Sequence, residues 1–283
     1  MKSERRNCDL SFSNLCSWRF LYDTKFAVID NFLVFKFWAG EQLAYMMPVG
    51  TGDLKAVLKE LIEDAGQENQ PFCMLGVCSC MRAELEAILP EQFTFTEDRD
   101  YADYIYLRSD LSTLKGKKFQ AKRNHINRFR NTYPNYEYTP ITPDRIRECM
   151  DLEAEWCKVN NCDQQEGTGN ERRALIYALH NFEALGLTGG ILHVNGKIVA
   201  FTFGMPINHE TFGVHVEKAD TSIEGAYAMI NYEFANRIPE QYIYINREED
   251  LGIEGLRKAK LSYQPVTILE KYMACLKIHP LDM

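Results

Sequence analysis

Residues 26 to 48 hold three short strand-like runs, "FAVID", "FLVFKFW" and "QLAYMMPV", broken at Asp30-Asn31 and at Ala39-Gly40. Apolar runs of this length between turn formers predict strands. The period then changes. In "DLKAVLKELIEDAG" the residues Leu54, Val57, Leu58, Leu61 and Ile62 recur at spacings of three and four, with Asp53 at the start and Gly66 at the end. That pattern predicts an amphipathic helix with its start and stop signals in place. "FCMLGV" predicts a compact apolar strand, "MRAELEAILP" a helix stopped by Pro90, and "YADYIYL" a further strand.

The second half repeats this order. Two helices, "DRIRECMDLEAEWCKV" and "ERRALIYALHNFEAL", lead into strands "GGILHVNG", "KIVAFTFGMP" and "ETFGVHVEK", with Asn195-Gly196 a strong hairpin signal. A helix from Gly225 to Asn236 follows, then the strand "YIYI", a short helix within "NREEDLGIEGLRKAKLSYQP", and the strand "VTILEKYMA". Two copies of one βββαβαβ plan are the economical reading, each a sheet covered by helices. Joining them is "STLKGKKFQAKRNHINRFRNTYP", with seven Lys or Arg and no acid. It predicts one helix ended by Asn131 to Pro134, whose apolar Leu114, Phe119, Ile126 and Phe129 cover part of the circumference while cations cover most of the rest.

Composition narrows the setting. A chain of 283 residues with 46% hydrophobic and 25% charged content is globular and long enough for one large domain or two ordinary ones. A formal charge of -8 gives no global pull toward nucleic acid or anionic membrane, so such a partner needs a local basic patch. Nine cysteines are an odd number in a chain that is not small, and "MKSERRNCDL" has no apolar signal core. These features favour a reducing, cytoplasmic setting over a disulfide framework. The most apolar region, residues 26 to 50, is interrupted by Asp30, Asn31, Lys36 and Glu41. It falls short of the roughly 20 apolar residues a spanning helix needs, so no transmembrane segment is expected. "CMLGVCSC" has no histidine close by and lacks zinc spacing, so no metal is expected, and Cys157 and Cys162 read as helix and loop residues.

The segments "LKGKKFQAKRNHINRF", "EKADTSIEGAYAMINYEF" and "NREEDLGIEGLRKAKLSYQP", with the second-half element order, resemble the family containing the phosphatidylglycerol lysyltransferase C-terminal domain. That family is a tandem GNAT-like fold related to the Fem-type aminoacyl transferases. The resemblance covers nearly the whole chain in organisation, and its specific motifs lie between residues 113 and 265. It implies an α+β fold of two GNAT-like (acyl-CoA N-acyltransferase-like) domains, each a mixed central sheet flanked by helices. Residues 1–112 would form a structural domain, and residues 113–283 the basic connecting helix with the domain that carries the site. It also implies transfer of an acyl or aminoacyl group from acyl-CoA or aminoacyl-tRNA to an amine or hydroxyl, with no covalently bound cofactor.

The loop "VEKADTSIEGAYA" lies where a GNAT enzyme cradles the pyrophosphate of acyl-CoA on amides at a helix N-terminus. It departs from the usual pattern of Arg or Gln followed by two spaced glycines. With Ala226 last, Thr221 and Glu224 fill the other positions, and an acid there disfavours CoA. The alternative is that Gly225 eases a strand-to-helix turn. On the preceding strand, a period of two puts Thr211, Gly213, His215 and Glu217 on one face and Phe212, Val214 and Val216 on the other. Glu217, or His215, then stands ready to take a proton from an attacking amine, unless this face is simply solvated. A helix from Leu251 to Ser262 capped by Asp250 puts Ile253, Leu256, Arg257 and Lys260 on one face. Its two cations call for a neighbouring acid, the helix dipole, or a substrate phosphate. The resemblance carries the transfer centre onto this stretch. It carries that implication onto Asp250, Arg257 and Lys260; taken with the strand and loop readings, Glu217, Asp250 and Lys260 are the expected catalytic residues, and Arg257, Lys218, Gly225, Ala226, Tyr227 and Asn246 the expected substrate or phosphate ligands. The expected partner is tRNA or a phosphorylated small-molecule donor, steered by the basic helix. The rival is a non-catalytic module that keeps the fold to bind an anion or a partner.

Overall fold

A computed structural model describes residues 5–160 and 166–277. Its contacts divide the chain into two units: one takes residues up to 17, 104–248 and 253–268, the other residues 18–103, 249–252 and those from 269 onward. The single boundary expected after residue 112 therefore gives way to an interleaved one. The last strand of each predicted copy pairs in the other copy's sheet.

The smaller unit begins with α2 (Arg19–Tyr22) and a meander of β1 (Lys25–Ile29), β2 (Phe32–Ala39) and β3 (Gln42–Tyr45), with β4 (Val49–Gly50) returning to β2. Then come α3 (Leu54–Gln67), β5 (Cys73–Cys78), α4 (Ser79–Ile88) and β6 (Phe93–Glu97), and the C-terminal β14 (Lys271–Leu276) inserts between β5 and β6. The cap of α3 is the predicted one: the Asp53 side chain accepts from the Ala56 N–H at 3.1 Å, and Leu54, Val57, Leu58 and Leu61 are buried. Cys73 and Cys275 stand opposite one another on β5 and β14 and form a disulfide, against the expectation of a chain without such bridges. The sequence separation of 202 residues hid this pairing, which only the register of the sheet creates. Cys162 lies outside the described residues; Cys157 is in a helix as expected.

The larger unit contains α1 (Phe12–Ser17), β7 (Asp103–Leu107), α5 (Arg108–Thr113), α6 (Gln120–Thr132), β8 (Glu137–Pro140), α7 (Ile146–Asn160) and α8 (Glu166–His180). It continues with β9 (Thr188–Val194), β10 (Lys197–Pro206), β11 (Thr211–Ala219), α9 (Ala226–Ala235), β12 (Tyr244–Asn246), α10 (Glu254–Leu261) and β13 (Thr267–Leu269). The sheet runs β13-β7-β12-β11-β10-β9-β8. Asn195 and Gly196, at φ of 52° and 75°, make the predicted hairpin turn. On one face α7 and α8 bury Leu152, Leu175 and Leu179 against Phe201 and Phe203; on the other, Met229 and Ile230 of α9 pack with Phe119 and Phe129. These mixed sheets with flanking helices are the α+β, tandem GNAT-like architecture that was expected. Among the described residues no helix is long and apolar enough to cross a membrane.

The basic connector is not one helix. Leu114 and Gly116 take φ of 49° and 93°, which separates α5 from a 3-10 turn at Lys117–Phe119 and from α6. Glycine at 116 permits this break. The four apolar residues predicted to be a partial stripe are fully drawn into the core, from 0% to 3% exposed. Packing of Phe119 and Phe129 fixes α6 against α9 and so sets which of its cations turn inward.

Candidate active site

Strands β11 and β12 pair in parallel only from Thr211 to Gly213 and from Tyr244 to Asn246. Beyond these residues they no longer pair. A bulge decides which side chains of β11 share a face. Phe203 pairs with Val216 but Gly204 pairs with Val214, so His215 is an extra residue in β11. The predicted alternation therefore fails at this point. Phe212 and Val214 pack with Phe234 on the α9 side, Val216 packs with the α7–α8 cluster, and Glu217 returns to the α9 side.

Glu217 is the centre of the site. One carboxylate oxygen pairs with Arg247 Nη2 at 3.1 Å, and the other accepts from Asn231 Nδ2 of α9 at 3.2 Å. Because Asn231 must turn its amide nitrogen to the carboxylate, its Oδ1 points elsewhere; that atom is buried and among the described residues has no hydrogen-bond partner. Arg247 Nη1 is likewise buried and without a partner. The guanidinium lies 4.8 Å from the Tyr263 ring and 5.6 Å from that of Tyr106. Burial is the largest influence and opposes its charge, but Glu217, Tyr106 and Tyr263 together outweigh it and its pKa moves up. Burial pushes the phenols of Tyr106 and Tyr263 up as well, so both stay neutral donors.

Lys122, near the start of α6, completes the cluster. Its Nζ is 3.9 Å from the Tyr263 ring centroid. Burial first, and then the like charge of Arg247, brings this amine down from 10.5 to about 8, with Glu217 pulling the other way. Lys260 supports the cluster from behind: its buried ammonium donates to the backbone carbonyl of Arg247, and its own carbonyl accepts from Tyr106 at 2.8 Å.

The other expected residues are dispersed. The helix predicted from Leu251 starts at Glu254 with Ile253 as its cap, because Leu251 and Gly252 adopt positive φ. Asp250 is not the cap. It is fully buried in the smaller unit, 3.5 Å from Arg99, and accepts from the Gly252 N–H at 2.9 Å. Arg257 is partly exposed on α10, Ile253 and Leu256 are exposed, and Lys260 is buried, so the predicted common face does not form. Lys218 points to the face opposite Glu217, where it pairs with Glu171 of α8 at 2.8 Å and lies over the Trp156 ring. Tyr227 accepts from the Trp156 indole at 3.1 Å. Asn246 is fully buried: it donates to the Arg6 carbonyl and accepts from the Glu248 N–H, each at 2.7 Å. His215 contacts Glu248 at 2.7 Å. Gly225 adopts φ 84°, and a side chain there would meet the His125 carbonyl at 3.0 Å. The Ala226 N–H bonds the Ile223 carbonyl, and Glu224 pairs with Arg128 at 2.7 Å. This geometry suits the turn reading of Gly225 and Ala226 better than an open phosphate cradle.

Sequence reasoning missed Arg247, Asn231, Lys122, Tyr106 and Tyr263. Arg247 stands two residues past the predicted strand, just before Glu248 and Glu249, and was legible as a cation at a strand exit. Lys122 was hidden among seven similar charges.

A family model described as "Phosphatidylglycerol lysyltransferase, C-terminal" matches residues 1–275. A solved structure of a conserved protein of unknown function from Bacteroides thetaiotaomicron is 92% identical, with 98% of this chain and 94% of that one covered and a TM-score of 0.95. The structure of L-PGS from Bacillus licheniformis is 18% identical over 99% of this chain and 96% of that one, with a TM-score of 0.64, a likeness of fold alone. An uncharacterised protein of Mycoplasmoides gallisepticum is 24% identical over 177 residues, 60% of this chain. The match spans 55% of that curated relative's length.

Proposed function

The chain belongs to the phosphatidylglycerol lysyltransferase C-terminal family, and from that premise we propose that it is an aminoacyl transferase. It moves an aminoacyl group from an activated ester, an aminoacyl-tRNA, to an amine or hydroxyl acceptor. The observation that carries this reading is the pair of unfilled groups beside Glu217: a donor at Arg247 Nη1 and an acceptor at Asn231 Oδ1. An aminoacyl ester complements both. Its α-ammonium donates to Asn231 Oδ1 and neutralises Glu217, while its carbonyl oxygen, which gains charge on attack, accepts from Arg247 Nη1. A plain acyl thioester has no ammonium and leaves the buried Oδ1 unpaired, at a cost of about 1–3 kcal/mol. The closed turn at Gly225 also argues for tRNA over CoA as the carrier.

In this mechanism Arg247 polarises the ester carbonyl and stabilises the oxyanion, and Glu217 with Asn231 holds the amine end. Lys260 acts as a positioning residue through its bond to the Arg247 carbonyl. Exposed Lys115 and Lys117 offer contacts to a polyanion backbone. Asp250 and Arg257 have no role in the transfer step.

The test is transfer of label from tRNA charged with radioactive amino acids to a mixture of amine and hydroxyl acceptors. Wild type should move the label, RNase pretreatment should stop it, and Arg247→Met should lower the rate at least about 100-fold. The rival, a binding module without catalysis, draws on the acid at Glu224 and its pairing with Arg128. It predicts tRNA bound with salt-sensitive affinity and label retained on the tRNA with every acceptor.

A further inference from the structure

We propose that the side-chain amine of Lys122 is the proton acceptor of this site, taking the proton of the attacking nucleophile and returning it to the leaving oxygen. The proposal rests on the transferase reading above and reassigns the role that sequence reasoning gave to Glu217. Both oxygens of Glu217 are engaged, by Arg247 and by Asn231. Taking up a proton there would break a largely buried ion pair.

Lys122 is placed differently from the other cations around it. Lys118 pairs with Asp110, Arg123 donates to the Leu114 and Gly116 carbonyls, Arg128 pairs with Glu224, and Arg130 faces Glu233. Among the described residues Lys122 Nζ has no carboxylate or carbonyl partner and rests on the Tyr263 ring. An amine on an aromatic face, half withdrawn from water and beside a guanidinium, has reason to be neutral for part of the time near neutral pH. Burial and the charge of Arg247 bring it to about 8. The groups that face it are Arg247 and Glu217 from the ends of β12 and β11, and Tyr263 after α10. Tyr106 of β7 lies behind Arg247, and α9 turns Tyr227 toward the Glu217 charge.

The step balances. The nucleophile's nitrogen or oxygen attacks the ester carbonyl carbon, a new C–N or C–O bond forms, and the proton passes to Nζ. Collapse of the tetrahedral species breaks the ester C–O bond, and the electron pair leaves on the donor's oxygen, which recovers the proton from Nζ.

Two measurements test this. Trace acetylation of the intact protein with acetic anhydride from pH 6 to 11, read by peptide mass spectrometry, should give Lys122 a reactivity midpoint near 8, and Arg247→Met should move it upward. A midpoint near the ordinary 10.5 overturns the proposal. In the transfer assay, Lys122→Met should lower kcat by about 100-fold with KM nearly kept, and Lys122→Arg, which keeps the charge but cannot give up its proton, should not restore it. Rescue by Lys122→Arg to within about 3-fold overturns the proposal and makes the residue a charge contact, a factor far below that expected for a lost base. A wild type that transfers nothing overturns the transferase reading itself. A transferring wild type with an unremarkable Lys122 overturns only this assignment.

Discussion

Each unit buries an ion pair, and the two pairs differ in what they leave unfilled. In the smaller unit Lys271 meets Asp103 at 2.8 Å, with side chains 4% and 0% exposed, and Glu249 stands 3.8 Å from the same ammonium. In the larger unit Arg247 meets Glu217 at 3.1 Å, with side chains 12% and 14% exposed. Among the described residues the first cluster has no buried polar atom without a partner, whereas in the second Arg247 Nη1 and Asn231 Oδ1 are both buried without one. A saturated pair is a structural tie. An unsaturated one, where the pairing of β11 and β12 has ended, holds hydrogen-bonding capacity for something else. Depth of burial alone would have ranked the saturated pair first.

That contrast can be broken in several ways. The largest effect on stability belongs to the saturated pair: Lys271→Met removes the buried ammonium that Asp103 and Glu249 share and should cost about 3–5 kcal/mol in urea unfolding. Arg247→Met, read in the same assay, should cost only about 1–2 kcal/mol, because Asn231 still donates to Glu217. Costs in the reverse order would remove the distinction between the pairs. Asn231→Ala should be within about 1 kcal/mol of wild type in stability, since it deletes a hydrogen bond and an unfilled buried acceptor together, yet should lower transfer about 10- to 100-fold.

A smaller effect depends on pH. The folded Lys122 amine titrates near 8, below the ordinary 10.5, so between those values the unfolded chain binds more protons and stability rises with pH. Lys122→Met should lose that rise and, at pH 7, melt about 1–3 °C above wild type by scanning calorimetry. The smallest effect is at the turn: Glu224→Ala removes an ion pair whose side chains are 52% and 68% exposed, and should change stability by less than about 1 kcal/mol.

Most elements of the fold were legible because local patterns and tertiary packing agree. The Asp53 cap, the apolar face of α3, the Asn195-Gly196 turn and the apolar strands of the β9–β10 hairpin all carry their own signal. "FTFTE" alternates as clearly, but its run is short and polar, and β6 was not recognised; β8 hides behind Pro140. The membership of β7 and β14 had no local signature, since strand pairing is decided by contacts far apart in sequence.

The site was legible at Glu217 and, behind it, at Lys260. A period of two assigned Glu217 to the face of His215, and one bulged residue moved it to the face of Phe212 and Val214. Nothing in the residue types near 215 announces that bulge. The cations were chosen by their helical spacing in 257–260, where exposed Leu251 and Ile253 and the positive φ at Leu251 and Gly252 shorten the helix. The effective cation, Arg247, sits at a strand end where spacing rules say nothing.

The central claim is that the space beside Glu217 receives a free α-ammonium through Asn231 and an ester carbonyl through Arg247. Single-turnover transfer from an aminoacyl-tRNA and from the same tRNA carrying the N-acetylated amino acid isolates the first contact. The account predicts transfer from the free-amine form and a rate at least about 100-fold lower from the acetylated one, whose amide can neither neutralise Glu217 nor fit the acceptor as a cation. Equal rates from the two donors would contradict it.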